Sequence, residues 1–167
     1  MDYILETERL ALRQFNNQDA GFIVELVNTA GWLKFIGDRH IHSDADAINY
    51  LQNGPIKSYR ENGFGLWMVE KKDKAPIGMC GILKRESLEN PDIGFSFLPD
   101  HMGNGYAFEV AHAVLDYATY QLKLKTIWAI VNPNNERSIQ LLEKIGLSHI
   151  KMVPSTTDGS DLMLFSN

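Results

Sequence analysis

Met102-Gly103-Asn104-Gly105-Tyr106-Ala107 lies between the proline-bounded apolar segment Ile93 to Pro99 and a segment whose apolar positions 107, 110, 111, 114 and 118 recur at helical spacing. Strand, glycine turn and helix in that order make an element suited to anions. Two glycines two apart let the backbone turn sharply and come close to a ligand. The helix start adds unpaired N–H groups and the positive end of a dipole. The chemistry is that of gripping a pyrophosphate.

A second constellation follows at Asn132-Pro133-Asn134-Asn135 and Ser138. Positions 138, 141, 142 and 145 share one helix face, and Leu141, Leu142 and Ile145 mark it as the buried one, so the Ser138 hydroxyl faces inward. It either bonds back to the Asn134 carbonyl or serves a reaction. The asparagines suit a turn and a helix cap, and Asn132 equally suits a ligand contact. Alternation puts Asp92, Gly94 and Ser96 on one strand face and Ile93, Phe95 and Phe97 on the other. Asp92 points at a cleft or at solvent according to which face the helices cover, as a base acting through water or as a strand-end aspartate.

The elements that must position these groups can be read from periodicity. Leu10 to Phe15 predicts a first strand, and a helix follows from about Gln18 with Asn16 or Asn17 as cap. Trp32 to His42 reads as a short helical turn and loop, Ser43 or Asp44 caps a second helix, and another helical stretch runs from Ile56 to Glu61. Segments 64–70, 76–85 and 92–98 predict an antiparallel meander. After the central helix, Thr126 to Val131 returns parallel to the 92–98 strand by a crossover. A last helix from about Asn134 stops at Gly146, and strands near 147–153 and 161–166 close the chain. The two ligand-suggestive segments then meet at the carboxyl ends of one strand pair, where open α/β sheets collect ligands.

At 167 residues the chain predicts one domain, 1–167. No apolar run approaches the roughly 18 to 20 residues needed to span a bilayer, so no membrane partner is expected. A net charge of −5 with scattered Lys and Arg argues against a nucleic-acid partner and favours an amine or cationic substrate. The opening Met1-Asp2-Tyr3-Ile4-Leu5-Glu6 lacks a basic segment followed by a long apolar stretch, and Cys80 is the one cysteine. Both favour a cytoplasmic setting. Asp38, His40, His42, Asp44 and Asp46 are metal-ligand types, but adjacent polar residues in a loop do not make a site, and no metal is expected. Cys80 sits in an apolar strand and reads as core.

The turn matches the acetyl-CoA-binding pattern of the GCN5-related N-acetyltransferases: Gln or Arg, two free positions, Gly, a free position, then Gly or Ala. Gly105 and Ala107 fill the small positions. Gly103 to Glu109, the opening Thr7 to Arg13, and Asn132 to Ile139 followed by Leu142-Glu143-Lys144-Ile145-Gly146-Leu147 resemble the ribosomal-protein N-terminal acetyltransferase (RimJ/RimL-like) branch over nearly the whole chain. Met102 stands where the pattern has Gln or Arg, Asp92 where the branch often has Glu, and Phe95 where it has Tyr.

The resemblance implies an α/β (α+β) fold: a mixed, mostly antiparallel sheet of about six to seven strands with a central parallel pair and about four helices. It implies acetyl transfer from acetyl-CoA to an amine, either a protein N-terminal α-amine or a small molecule, by direct attack in a ternary complex. The site residues it implies are Ser138 as thiolate acid, with Asp92 as a candidate base. Cofactor contacts would come from Phe97, Leu98, Gly103, Asn104, Gly105, Tyr106, Ala107, Asn132, Asn134 and Ser138, and Trp32, Phe35 and Trp67 would line an acceptor pocket. Glu109 takes a structural or cofactor-end role. A monomer or homodimer through the terminal strands is expected. The alternative is a CoA-binding sensor or scaffold without turnover; a nucleotide-dependent oxidoreductase is more distant, because the glycine turn follows antiparallel segments and no N-terminal βαβ unit.

Overall fold

The computed structural model describes residues 2–167. Its strands are β1 (Tyr3–Glu6), β2 (Leu10–Arg13), β3 (Leu66–Lys71), β4 (Pro76–Leu83), β5 (Asp92–Phe97), β6 (Trp128–Val131), β7 (Ser148–Pro154) and β8 (Asp161–Ser166). They form one sheet in the order β1-β2-β3-β4-β5-β6-β8-β7. Only the β5–β6 pair is parallel, so the mixed sheet with its central parallel pair is as expected. The helices are α1 (Ala20–Val27), α2 (Ala30–Phe35), α3 (Asp44–Asn53), α4 (Pro55–Asn62), α5 (Tyr106–Tyr120) and α6 (Glu136–Lys144).

Eight strands and six helices exceed the expected counts of six to seven and about four. The extra strand is β1, four residues without alternation that become a strand by pairing with β2. Such an edge element owes its state to its neighbour, which local pattern does not see. β6 begins at Trp128, two residues later than predicted.

The sheet is covered on both faces. Trp67, Val69, Ile77 and Ile93 pack with Val110, Ala111, Val114 and Ala118 of α5 and Leu142 of α6. On the other face Leu66, Met68 and Met79 pack with Phe22, Ile23 and Leu26 of α1, Trp32 of α2 and Leu51 of α3. Double coverage explains why β3 reads as a continuous apolar run. Asn16 and Ser43 each close a capping box, the former on a 3-10 turn, Asn17–Asp19, that leads into α1.

β2 also carries a buried charge cluster. Arg13 donates from Nη1 and Nη2 to Asp19 at 2.9 Å each and from Nε to Glu70 at 3.1 Å. Tyr3 donates to the other Glu70 oxygen at 2.9 Å, tying β1 into the same cluster. Paired and hydrogen-bonded in this way, the charges tolerate burial.

Candidate active site

β5 and β6 pair at a single register position, Asp92 with Trp128. β5 is otherwise bonded along its length to β4, and β6 to β8. Past Trp128 the two parallel strands therefore diverge. The Leu98 N–H donates to the Ile77 carbonyl on the β4 side at 2.9 Å. Alternation then turns the Phe95 and Phe97 N–H groups toward the gap. Backbone donors without a strand partner at the mouth of a gap are suited to a ligand carbonyl or amide.

The gap opens into a cavity of about 1040 Å³ lined by Asp92, Gly94, Phe95 and Ser96 of β5, by Asn132 after β6 and by Ser138 of α6. Asp92 is 1% exposed and faces this cleft, which answers the open question of its direction. Arg85 Nε donates to its two oxygens at 3.0 and 3.1 Å. Burial pushes the Asp92 carboxyl above the usual carboxylate range, while the Arg85 charge and hydrogen bond hold it back.

Ser138 is half-buried, and its backbone N–H is capped by Asn135 Oδ1 at 3.3 Å. Its hydroxyl makes no bond to the Asn134 carbonyl, so the self-satisfied alternative is not the geometry found, and the hydroxyl remains available to the cavity. Asn132 Oδ1 accepts from the Asn134 N–H at 2.9 Å, an Asx turn that leaves its amide NH₂ for another partner. Asn134 is exposed and outside the cavity lining.

The glycine turn lies on the surface, leading into α5. Gly103 (φ +81°) and Gly105 (φ +78°) are both left-handed, and Gly105 immediately precedes the helix. A side chain at 105 would be strained and would sit 3.4 Å from Arg9 Nη2. Arg9 Nη1 donates to the Asn104 carbonyl at 2.9 Å, and its guanidinium carbon stands 4.5 Å from the centre of the Tyr106 ring. Across the turn, Arg137 Nη1 approaches Met102 Sδ at 3.1 Å. Two guanidinium groups thus flank a turn whose own first position carries no polar side chain. Neither arginine is given a role by sequence alone: both lie inside the quoted motifs, yet nothing local marks a partner roughly 35 to 100 residues away.

Glu109 accepts from Thr7 Oγ1 at 2.6 Å, the Arg9 N–H at 2.8 Å and Arg9 Nε at 2.6 Å, fastening the β1–β2 turn to the start of α5. Burial alone would raise its carboxyl, but the Thr7 and Arg9 hydrogen bonds and the Arg9 charge together bring it below the usual range.

Trp67 sits differently from its expectation. Trp67 is 1% exposed and packs edge-on against Tyr117 of α5 at 5.6 Å, on the sheet face away from the cavity. It is core, because alternation on β3 sends Trp67 opposite to the cavity-lining Leu66. Phe97 is buried in the α5-side core and Leu98 packs against the other, so their side chains are committed; the Leu98 N–H and carbonyl are bonded to Ile77 and His101, and of the two residues it is Phe97 whose N–H turns toward the gap. Trp32 and Phe35 do line the cavity. Cys80 is buried, and burial pushes its thiol far above the ordinary range, leaving it inert. Ligand atoms of Asp38, His40 and His42 lie within 4.8 Å of one another, all exposed, while Asp46 is committed to capping α3. Among the described residues no helix is long and apolar enough to cross a membrane.

A splayed parallel pair, an anion-suited turn between β5 and α5, and an acid and a hydroxyl lining the cavity fit an acyl thioester carried on a pyrophosphate-containing handle. Residues 9–148 match the family model described as an acetyltransferase (GNAT) domain. The chain is 34% identical over 145 residues, 86% of its length and 81% of the relative's, to the uncharacterized N-acetyltransferase YoaA of Bacillus subtilis. In fold it is similar to an acetyltransferase from Agrobacterium tumefaciens (TM-score 0.84, 23% identity, 100% and 94% coverage). The ribosomal-protein-S5-alanine acetyltransferase of Vibrio fischeri is also similar (TM-score 0.81, 18% identity, 99% and 96% coverage). Matched over most of its length, the chain belongs to the GNAT acetyltransferase domain family of acyl-CoA-dependent N-acetyltransferases.

Proposed function

We propose that the protein transfers an acetyl group from acetyl-CoA to an amine by direct attack in a ternary complex, as a member of the RimJ/RimL-like branch. The single observation that carries this reading is the divergence of β5 and β6 past Asp92–Trp128, which opens a cavity lined by Asp92 and Ser138.

Bound acetyl-CoA would supply the acetyl thioester. The left-handed turn Gly103 to Ala107, with Arg9 and Arg137 beside it, would hold the pyrophosphate by backbone N–H groups and nearby positive charge. The Phe95 N–H would face the carbonyl oxygen, where developing negative charge is stabilised by a preformed donor. Asp92, ionised, would take the ammonium proton through water; after attack Ser138 would give its hydroxyl proton to the departing sulfur and regain one, through water, from the nitrogen that becomes the amide. An α-amine titrates near pH 8 and a thiol near 8.5, so both transfers are mild at neutral pH and placement can supply much of the rate. Residues 1–167 acting as one domain, a cytoplasmic setting and a monomeric or homodimeric state complete the proposal; a sheet shared by all eight strands and a lone buried cysteine support the first two.

Thiol release from acetyl-CoA is the test, run against peptides, polyamines and aminoglycosides. Turnover with an amine supports the reading. Folded protein that consumes no acetyl-CoA with any of them overturns it.

A further inference from the structure

The cavity continues beneath α2, α4 and the β4–β5 loop, and its charge there runs against that of the chain. Lys34, Arg39, Lys57, Lys84 and Arg85 line this part, although the protein carries a net −5. Lys57 lies 3.9 Å from Glu61, and Arg85 is committed to Asp92. Lys34, Arg39 and Lys84 have no carboxylate partner among the described residues, and the unpaired acids in the lining are Glu86 and, beyond the end of β6, Asp158.

Two further features belong to the same wall. The Tyr50 phenol lines the cavity, and the Arg39 and Arg85 charges both bear on it, opposing the rise that burial imposes. Phe35 and Trp32 form an apolar floor, with Lys34 Nζ 5.0 Å from the centre of the Phe35 ring, and Leu33 and Ile36 are exposed at the lip. A polyamine entering here would meet unpaired cations, an arrangement that rejects it by like-charge repulsion.

Resting on the acetyl-transfer reading, we propose that the acceptor is an amine that also bears an anionic group. Its nitrogen is directed toward Asp92, its anion is held by the unpaired cations of the lining, Arg39 beside Tyr50 and Lys84 next to Arg85 in the chain, and its apolar body lies on Phe35 and Trp32. The acidic surface read from composition is thus not the surface that meets the acceptor.

Matched acceptor pairs test this by thiol release at fixed acetyl-CoA: phenylalanine against phenylalaninamide, a glutamyl against a glutaminyl N-terminal peptide, phosphoethanolamine against ethanolamine, and spermidine alone. The expected result is a kcat/KM about tenfold or more higher for the anionic member of at least one pair, arising mainly in KM and shrinking with added salt. The carboxylate and phosphate pairs show which anion is meant. Arg39→Gln and Lys84→Gln, both on the surface, should each bring that ratio toward one. Preference for spermidine or the neutral partners, or a ratio unmoved by both variants, overturns this inference and leaves acetyl transfer standing. No thiol release with any acceptor overturns the acetyl-transfer reading, and this one with it.

Discussion

Two carboxylates, Glu109 at the foot of α5 and Asp92 at the foot of the strand gap, each meet an arginine, and their acidities move in opposite directions. Glu109 is 17% exposed and collects three donors from Thr7 and Arg9, which together outweigh burial. Asp92 is almost fully enclosed and has one side-chain donor atom, Arg85 Nε, so burial prevails. A salt bridge by itself therefore says little about a carboxylate's role; the balance of donors against desolvation does. Glu109 is locked as a charge that fastens the fold. Asp92 faces the cavity, where the proposed mechanism has it poised to accept a proton.

The largest effect should come from removing the poised member. Asp92→Asn is expected to lower kcat by about 10²- to 10⁴-fold, the range a positioned acid or base supplies, with thermal stability retained. If neither Asp92→Asn nor Ser138→Ala changes turnover while acetyl-CoA still binds in calorimetry, the comparison fails and a sensor module becomes the better account.

Glu109→Gln should do the opposite: kcat is preserved while unfolding stability falls by about 1 to 2 kcal/mol, discounted because Arg9 is partly solvated and screened. The folded carboxyl lies below its unfolded value, so its contribution is present above the ordinary carboxylate pKa and is lost as pH falls through the folded one. Urea melts of wild type and variant should accordingly differ at pH 7 and converge in acid.

Arg85→Gln sharpens the other side. Removing the charge that opposes burial should raise the Asp92 carboxyl further, moving the acid limb of the kcat/KM profile to higher pH. The same raised value means that ionising Asp92 opposes folding: stability falls as pH rises from the ordinary carboxylate pKa through the folded one. An acid limb that stays in place would deny Arg85 its positioning role. The smallest effect is expected at the turn, where Arg137→Ala should weaken acetyl-CoA binding about two- to fivefold, as befits an exposed charge. Met102→Gln should preserve or tighten the same binding, and calorimetry reads both.

Much of this arrangement was legible because its causes are local. The glycine turn, the caps at Asn16 and Ser43, the meander and the Asn132 turn each depend on a few neighbouring residues whose conformational preferences are their own. Trp67 was misassigned because β3 is apolar on both faces, and an aromatic residue on either face looks the same in sequence. β1 was missed because its partner, not its pattern, makes it a strand.

The chain alone determined the family, the order of elements from β2 onward and the position of the glycine turn, since motif spacing and hydrophobic period are properties of the sequence. Only the tertiary structure decided that Asp92 faces the cleft and that Arg85 opposes its burial. The same holds for Arg9 and Arg137 converging on the turn, and for the excess of cations beneath α2 and α4. Each of these depends on through-space distance and solvent exclusion between residues remote in the chain, and a one-dimensional pattern does not encode a dielectric.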